Sequence, residues 1–187
     1  MMIRRIIAPV KTLGPGERVC VWTQGCSKHC VGCISPELQP FIQQSNLSVE
    51  MICDLILQES QKSNCKQLTI SGGDPFEQTE ELTELLGKLR NHFEDILVYT
   101  GFTFEQIECS ESMKKCLKYI DVLIDGRYIE ELNDNETALR GSTNQNIIFI
   151  NPNLKSTYED YMRKGRFVKC YYSGGNAVAV GIPTRKE

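Results

Sequence analysis

The sequence has no long apolar run and no cluster of basic residues. Its longest apolar stretches have the length of strands, which excludes a transmembrane helix. Acidic and basic residues are interspersed and the net charge is -3, so nucleic acid is not expected as a partner. Residues 1–9 are too short and too quickly polar to form a signal peptide. These absences together predict a cytoplasmic protein that is not bound to a membrane.

Cysteine, in contrast, is abundant, with nine residues in a chain of 187. The number is odd and the spacings do not resemble a secreted disulfide scaffold, so free thiols and metal ligation are favoured. Outside one dense motif, we expect the cysteines to be small buried hydrophobic residues. These six are Cys20, Cys53, Cys65, Cys109, Cys116 and Cys170.

The dense motif consists of Cys26, Cys30 and Cys33, with the spacing C-x3-C-x2-C and no fourth cysteine nearby. Three thiolates can hold three corners of a cubane iron–sulfur cluster and leave the fourth iron open to a ligand. The alternative is a structural zinc site in which His29 supplies the fourth ligand.

Hydrophobic periodicity predicts strands and helices in alternation, which indicates a parallel sheet with right-handed crossovers. Ser48 is expected to cap the first helix, and Thr103 with Gln106 to form a capping box. After residue 150, the sequence predicts a short helix and then a hairpin with its turn at residues 173–176. The predicted strands cover residues 18–23, 67–71, 96–99, 121–125, 147–150, 167–172 and 177–182.

Polar and glycine residues follow the first three predicted strands: the cysteine motif, residues 71–74 and residues 100–101. Ligands bind at the carboxyl ends of parallel strands, so these segments should meet at one edge of the sheet. Gly72 and Gly73 are expected to let a ligand approach the backbone closely. Asp74 either assists in binding a cation or caps the helix that follows.

In these residues the chain resembles the radical S-adenosylmethionine (SAM) superfamily. Cys26, Cys30 and Cys33 match its cluster motif, and residues 72–74 match its glycine–glycine–acid motif, which holds the methionine end of SAM. The resemblance narrows to the activating component of anaerobic, class III ribonucleotide reductase over roughly residues 1–150. The segments that carry it, in order, are 23–26, 32–33, 72–75, 99–103, 121–126 and 139–145.

The resemblance implies a catalytic [4Fe-4S] cluster on the three cysteines and a set of residues that bind SAM. The implied SAM-binding residues are Gly72, Gly73, Asp74, Thr100, Gly101, Asp125, Ser142 and Asn144. Reductive cleavage of SAM then gives a 5′-deoxyadenosyl radical, which installs a glycyl radical on a protein partner such as the reductase. Flavodoxin or ferredoxin is the implied electron donor. Gly32 stands before the third cysteine, as in the reductase activators, whereas Ile34 follows it where they often have an aromatic residue.

A full eight-stranded barrel needs about 250 residues. We therefore expect an α/β fold with an incomplete, open β/α barrel of the partial TIM type and a mostly parallel sheet over residues 1–150. Residues 151–187 are expected to form a C-terminal helix and β-hairpin extension packed on the same domain. Two other functions stay open: radical SAM modification of another peptide or small molecule, and a non-catalytic iron–sulfur module.

Overall fold

The computed structural model describes residues 1–173 and 175–184. Gly174 of the predicted hairpin turn therefore lies outside the described residues. The main elements are β1 (Ile3–Val10), β2 (Arg18–Thr23), α1 (Val49–Ser63), β3 (Gln67–Gly72), α2 (Thr79–Leu89), β4 (Asp95–Tyr99), α3 (Phe104–Cys109), α4 (Glu111–Leu117), β5 (Val122–Ile124), β6 (Ile147–Phe149), α5 (Lys155–Met162), β7 (Val168–Ser173) and β8 (Asn176–Gly181). Within these ranges, each helix is too short or too polar to cross a membrane.

The first six strands form an open, mostly parallel sheet in the order β1-β2-β3-β4-β5-β6. The four central strands are parallel, whereas β1 and β6 run antiparallel to their neighbours. The α/β class and the mostly parallel sheet are confirmed, but a partial TIM-type barrel is not. The chain between β5 and β6 contains only a short 3-10 helix, so it returns antiparallel rather than crossing over. No strand was predicted over β1.

One face of the sheet packs against the helices between the strands. Val19 and Val21 of β2 face this side, together with Leu68 and Ile70 of β3. The predicted caps are confirmed: the Ser48 side chain accepts from an amide in the first turn of α1, and the capping box begins α3. Burial of the leucines of α2 anchors this layer; these are Leu82, Leu85, Leu86 and Leu89.

The C-terminal extension covers the second face of the sheet. Tyr158 and Tyr161 of α5 are buried in one cluster with Val122 and Ile124 of β5. Val180 of β8 is buried in another cluster, which contains residues of β1 and β2. The predicted C-terminal helix and hairpin are therefore present, and they bury the face that an open barrel would leave accessible.

A buried ion pair joins β2 to β4 at the amino ends of the parallel strands. The Arg18 guanidinium is fully buried and donates to a carboxylate oxygen of Asp95 at 2.6 Å. It also donates to the Thr69 hydroxyl and to the Leu68 carbonyl oxygen. The Tyr158 hydroxyl donates to the Asp95 carboxylate at 2.9 Å. The sheet tolerates these charges because each is paired and hydrogen-bonded.

All nine cysteines are free thiols. Of the six outside the motif, four are buried, as expected: Cys20, Cys53, Cys65 and Cys116. The prediction is wrong for Cys109 and Cys170, which are exposed. Cys109 is the last residue of the short helix α3. Cys170 lies in β7 of the two-stranded hairpin, only one face of which packs on the six-stranded sheet.

Candidate active site

A cleft with a volume of about 320 Å³ lies at the carboxyl ends of β2, β3 and β4. Parallel strands end at the same edge of a sheet, which explains why segments far apart in sequence meet here. Eight of the predicted site residues line the cleft: Cys26, Cys30, Cys33, Gly72, Gly73, Asp74, Thr100 and Gly101.

The cysteine loop, residues 24–40, leaves the end of β2 and folds back on itself. The Gly25 amide donates to the Leu38 carbonyl oxygen at 2.8 Å, and the Cys26 amide donates to that of Gln39 at 2.9 Å. These two bonds close the base of the loop, so that the motif cysteines are presented on a constrained segment.

The three motif cysteines are partly exposed and line the same cleft. Burial raises the pKa of the Cys26 thiol, and the nearby carboxylates of Asp74 and Glu77 also act to raise it. Among the described residues, no group of three His, Cys, Asp or Glu side chains could hold a single metal ion. A cubane cluster does not need such a group, because each thiolate binds a different iron. The donor set therefore fits a cluster with one iron left open.

The glycine turn, residues 71–75, packs its backbone against the base of the cysteine loop. A Cβ on Gly72 would lie 2.3 Å from the Thr23 nitrogen, and one on Gly73 would lie 2.3 Å from the Gly25 carbonyl oxygen. The Gly73 and Asp74 amides donate to the carbonyl oxygens of Thr23 and Gly25, each at 2.9 Å. Contact between two parts of the chain thus requires the two glycines, in addition to the approach of a ligand that the sequence predicts.

The Asp74 carboxylate is buried and joins the glycine turn to the end of β4. One oxygen accepts from the Phe76 amide and from the Thr100 hydroxyl at 2.8 Å, and the other accepts from the Gly101 amide at 2.9 Å. Burial raises the pKa of Asp74 to about 6, although these hydrogen bonds and the Lys28 charge act to lower it. The structure therefore contains the predicted helix cap, and the same carboxylate positions Thr100 and Gly101.

Glu77, just after the glycine turn, holds the start of the cysteine loop. Its carboxylate accepts from the amide and the hydroxyl of Ser27 and pairs with the Lys28 ammonium at 3.4 Å. Burial opposes its charge, but the bonds from Ser27 and the Lys28 charge outweigh burial and lower the pKa of Glu77. The Lys28 ammonium also lies 3.2 Å from the centre of the Phe102 ring. Sequence reasoning missed both residues: Lys28 lies between the first two cysteines of the motif, and Glu77 lies two residues after the glycine turn.

Asp125 does not line the cleft. Its buried carboxylate accepts from the Phe104 amide at 2.8 Å and from the backbone and side-chain amides of Asn146, each at 2.9 Å. It therefore ties the start of α3 to the segment that leads into β6, while the next residue, Gly126, reaches the cleft.

Ser142 and Asn144 also lie outside the lining. The Ser142 hydroxyl accepts from the Ile129 amide at 3.2 Å, and the Asn144 side chain donates to the Arg127 carbonyl oxygen at 2.8 Å. These bonds fix the 126–145 segment, which borders the cleft through other residues, Gln145 among them.

Further lining residues come from parts of the chain that sequence reasoning did not assign to the site. Tyr99 lines the cleft, and its hydroxyl is buried without a hydrogen-bond partner in the described part of the chain. Trp22 lines it too and is 8% exposed, so its ring packs in the core and also borders the cleft that holds the cysteines. Residues 178–183 of the hairpin and the segment after it form part of the wall.

Comparison with known proteins identifies a family model and several proteins that are similar to this chain. A family model described as a 4Fe-4S single cluster domain matches residues 12–148. The anaerobic ribonucleoside-triphosphate reductase-activating protein of Enterobacteria phage T4 is 34% identical over 138 residues, covering 72% of this chain and 85% of that protein. The protein of the same name from Vibrio cholerae is 31% identical over 138 residues, covering 71% and 87%. That from Escherichia coli K12 is 27% identical over 144 residues, covering 71% and 88%.

The matched segment contains the cysteine loop, the glycine turn and the 126–145 segment, and it ends before the C-terminal extension. The cleft therefore lies mainly between residues that this family model covers. The chain belongs to the 4Fe-4S single cluster domain family, among the anaerobic ribonucleoside-triphosphate reductase-activating proteins.

Proposed function

We propose that this protein is a radical SAM enzyme that cleaves SAM reductively and installs a glycyl radical on a partner such as an anaerobic ribonucleotide reductase. The observation that carries the proposal is the cleft, which unites three partly exposed thiols with the glycine turn and the end of β4. The names of the relatives support the choice of partner.

In this proposal, the three motif cysteines bind three irons of a [4Fe-4S] cluster and leave the fourth for the amino and carboxylate groups of SAM. The Gly73 and Asp74 amides already donate within the protein. The glycine turn therefore meets the N–H groups of the SAM amine with carbonyl oxygens, which accept hydrogen bonds from them.

The end of β4 completes the proposed SAM site. Thr100 and Gly101 contact the ribose or the methionine of SAM, and Asp74 positions both through its carboxylate. Three predicted site residues act indirectly in this proposal: Asp125, Ser142 and Asn144. Their hydrogen bonds hold the segment that places Gly126 and Gln145 at the cleft.

When bound, the cluster would supply one electron for reductive cleavage of SAM to methionine and a 5′-deoxyadenosyl radical, which would take a hydrogen atom from a glycine of the partner and leave as 5′-deoxyadenosine. A flavodoxin or a ferredoxin is the proposed source of the electron. The protein positions the reactants relative to one another. The largely buried Trp22 side chain, which lines the cleft, helps to exclude water from it.

The test of the chemistry is anaerobic reconstitution with iron and sulfide, followed by assays of iron content and of 5′-deoxyadenosine. We expect Cys30→Ala to lose the cluster and the product. Cys109→Ala is the matched control, because Cys109 is an exposed thiol on α3 that does not line the cleft. Product formation by Cys30→Ala at the wild-type rate would contradict the proposal.

The test of the partner is electron paramagnetic resonance after incubation with the anaerobic reductase of the same genome. SAM cleavage without a glycyl signal on the reductase favours the second candidate, which modifies another peptide or a small molecule. One observation favours that candidate: residues 178–183 line the cleft and lie beyond the segment matched by the family model. A cluster spectrum that SAM does not change would indicate a non-catalytic iron–sulfur module.

A further inference from the structure

The C-terminal hairpin, formed by β7 and β8, contributes a wall of the cleft that differs in polarity from the wall formed by the glycine turn and the end of β4. The residues it contributes with the segment after it carry no charge: Val178, Ala179, Val180, Gly181, Ile182 and Pro183. The glycine turn and the end of β4 instead present backbone groups, a hydroxyl and a carboxylate. The cleft therefore has one apolar wall and one polar wall.

Packing fixes the apolar wall on the sheet. Val180 is 4% exposed and is buried in a cluster with Trp22 and Leu38, against which Val178 also packs. In β7, the Tyr171 hydroxyl accepts from the Lys11 amide at 3.0 Å. The hairpin therefore has a defined position relative to β1 and β2.

Arg166 fixes the base of the hairpin. Its side chain is 1% exposed and donates to the Asn133 side-chain oxygen at 2.7 Å and to the Asp134 carboxylate at 3.1 Å. The same guanidinium donates to the Pro183 carbonyl oxygen at 3.3 Å, just beyond β8. Both ends of the hairpin are thus tied to the 126–145 segment, which also borders the cleft.

We infer that the C-terminal hairpin is the specificity wall for the protein substrate: it admits a slender, uncharged segment that carries the target glycine and excludes bulkier chain. This inference rests on the proposed function. An apolar wall offers no hydrogen-bond partner to the amine or the carboxylate of SAM, but it can bury apolar side chains that flank a glycine. The wall lies outside the segment matched by the family model, so it is an addition to that segment.

Val178→Trp and Ala177→Trp form a matched pair for the test. Val178 is half-buried and lines the cleft, whereas Ala177 is exposed and does not line it. In the holoenzyme, we expect Val178→Trp to lower glycyl-radical formation on the reductase by about tenfold or more, since a misplaced substrate loses that much rate. The readout is the ratio of glycyl-radical formation to SAM cleavage measured with a chemical reductant and no reductase, which we expect to fall about tenfold in Val178→Trp, whereas Ala177→Trp should change neither rate.

A second readout uses the apoprotein and needs no partner. We expect Val178→Trp to slow the reaction of the motif cysteines with a bulky maleimide by about tenfold relative to Cys109, while a small alkylating reagent reacts unchanged. Mass spectrometry assigns each label to its cysteine. Thermal unfolding checks that each variant is folded, and Val178→Phe replaces Val178→Trp if the larger side chain lowers the Tm.

The outcomes separate the inference from the proposed function. If the wild-type protein cleaves SAM but yields no glycyl signal on the reductase, the proposed partner is wrong, and the labelling ratios still test the wall. If Val178→Trp and Ala177→Trp give the same labelling ratios, the wall does not control access. If Val178→Trp lowers SAM cleavage as much as radical formation, the hairpin serves SAM rather than the protein substrate. Either of the last two results overturns the inference.

Discussion

The two ends of the parallel strands each hold a buried carboxylate, but the surroundings differ. At the amino end, Asp95 accepts from the Arg18 guanidinium and the Tyr158 hydroxyl. At the carboxyl end, Asp74 is 1% exposed, and its direct donors are two amides and a hydroxyl, all uncharged. The Lys28 ammonium pairs with Glu77 instead.

The difference separates a region built for stability from one built for ligand binding. A charge paired in the core holds strands together, and loss of one partner leaves the other charge unpaired. A buried carboxylate without a paired cation carries a free-energy cost, and such costs are concentrated at functional sites. The amino end should therefore respond to substitution mainly through stability, and the carboxyl end through pH and cofactor retention.

The largest expected effect is that of Asp95→Ala. It leaves the Arg18 charge buried and unpaired, so we expect the free energy of unfolding to fall by about 3–5 kcal/mol, measured by urea denaturation. Tyr158→Phe removes one hydrogen bond and should cost about 1 kcal/mol. Iron content per folded molecule should not change in either variant. Equal losses of stability in both variants would contradict the assignment of the buried pair.

The raised pKa of Asp74 predicts a pH dependence of the free energy of unfolding, and this effect is smaller than that of Asp95→Ala. Its pKa in the folded protein is about 6, above the ordinary value of 3.8, so the folded state binds this proton more tightly than the unfolded state. The stabilising contribution is fully present below pH 3.8 and is lost as the pH rises through 6. At about 1.4 kcal/mol for each pKa unit, wild type should lose up to about 3 kcal/mol relative to Asp74→Asn.

The measurement for Asp74 is the free energy of unfolding of both proteins between about pH 3.5 and about pH 7. The difference between the two curves isolates this carboxyl group, because the other titrating groups are shared. Parallel curves over the whole range would show that Asp74 has an ordinary pKa in the folded protein.

The smallest expected change in stability is that of Glu77→Gln. The amide oxygen can still accept hydrogen bonds, so we expect a loss of about 1 kcal/mol or less. Without its charge, however, Lys28 loses its ion pair and the cysteine loop is held less firmly. The reconstituted variant should therefore release iron to a chelator faster than wild type.

Glu37→Gln is the matched control for Glu77→Gln. Glu37 also lies at the cleft, but its side chain is 54% exposed and pairs with Arg5 at 3.3 Å near the surface. Iron release from this variant should equal that of wild type. Equal release from both variants would mean that the charge of Glu77 does not hold the cysteine loop.

Local patterns predicted much of the framework. The strand before the cysteine loop, the glycine turn and the Thr103 capping box follow from residues close in sequence. The meeting of Cys26, Gly72 and Thr100 at one edge follows from the parallel order of the strands.

The remainder depends on contacts between distant parts of the chain. The antiparallel direction of β6 is not encoded in its apolar pattern, because that pattern is the same in either direction. Asp125 was predicted to bind ligand, but its position at a strand end does not reveal that Phe104 and Asn146 already occupy its oxygens. The hairpin wall likewise depends on where Val180 packs.

The contact between the glycine turn and the cysteine loop has a consequence for protein engineering. Because Cβ atoms at Gly72 and Gly73 would collide with the backbone of Thr23 and Gly25, the two segments form one rigid unit. Any segment that replaces residues 71–77 must therefore carry glycine at both positions, because a side chain at either one would push the glycine turn away from the cysteine loop.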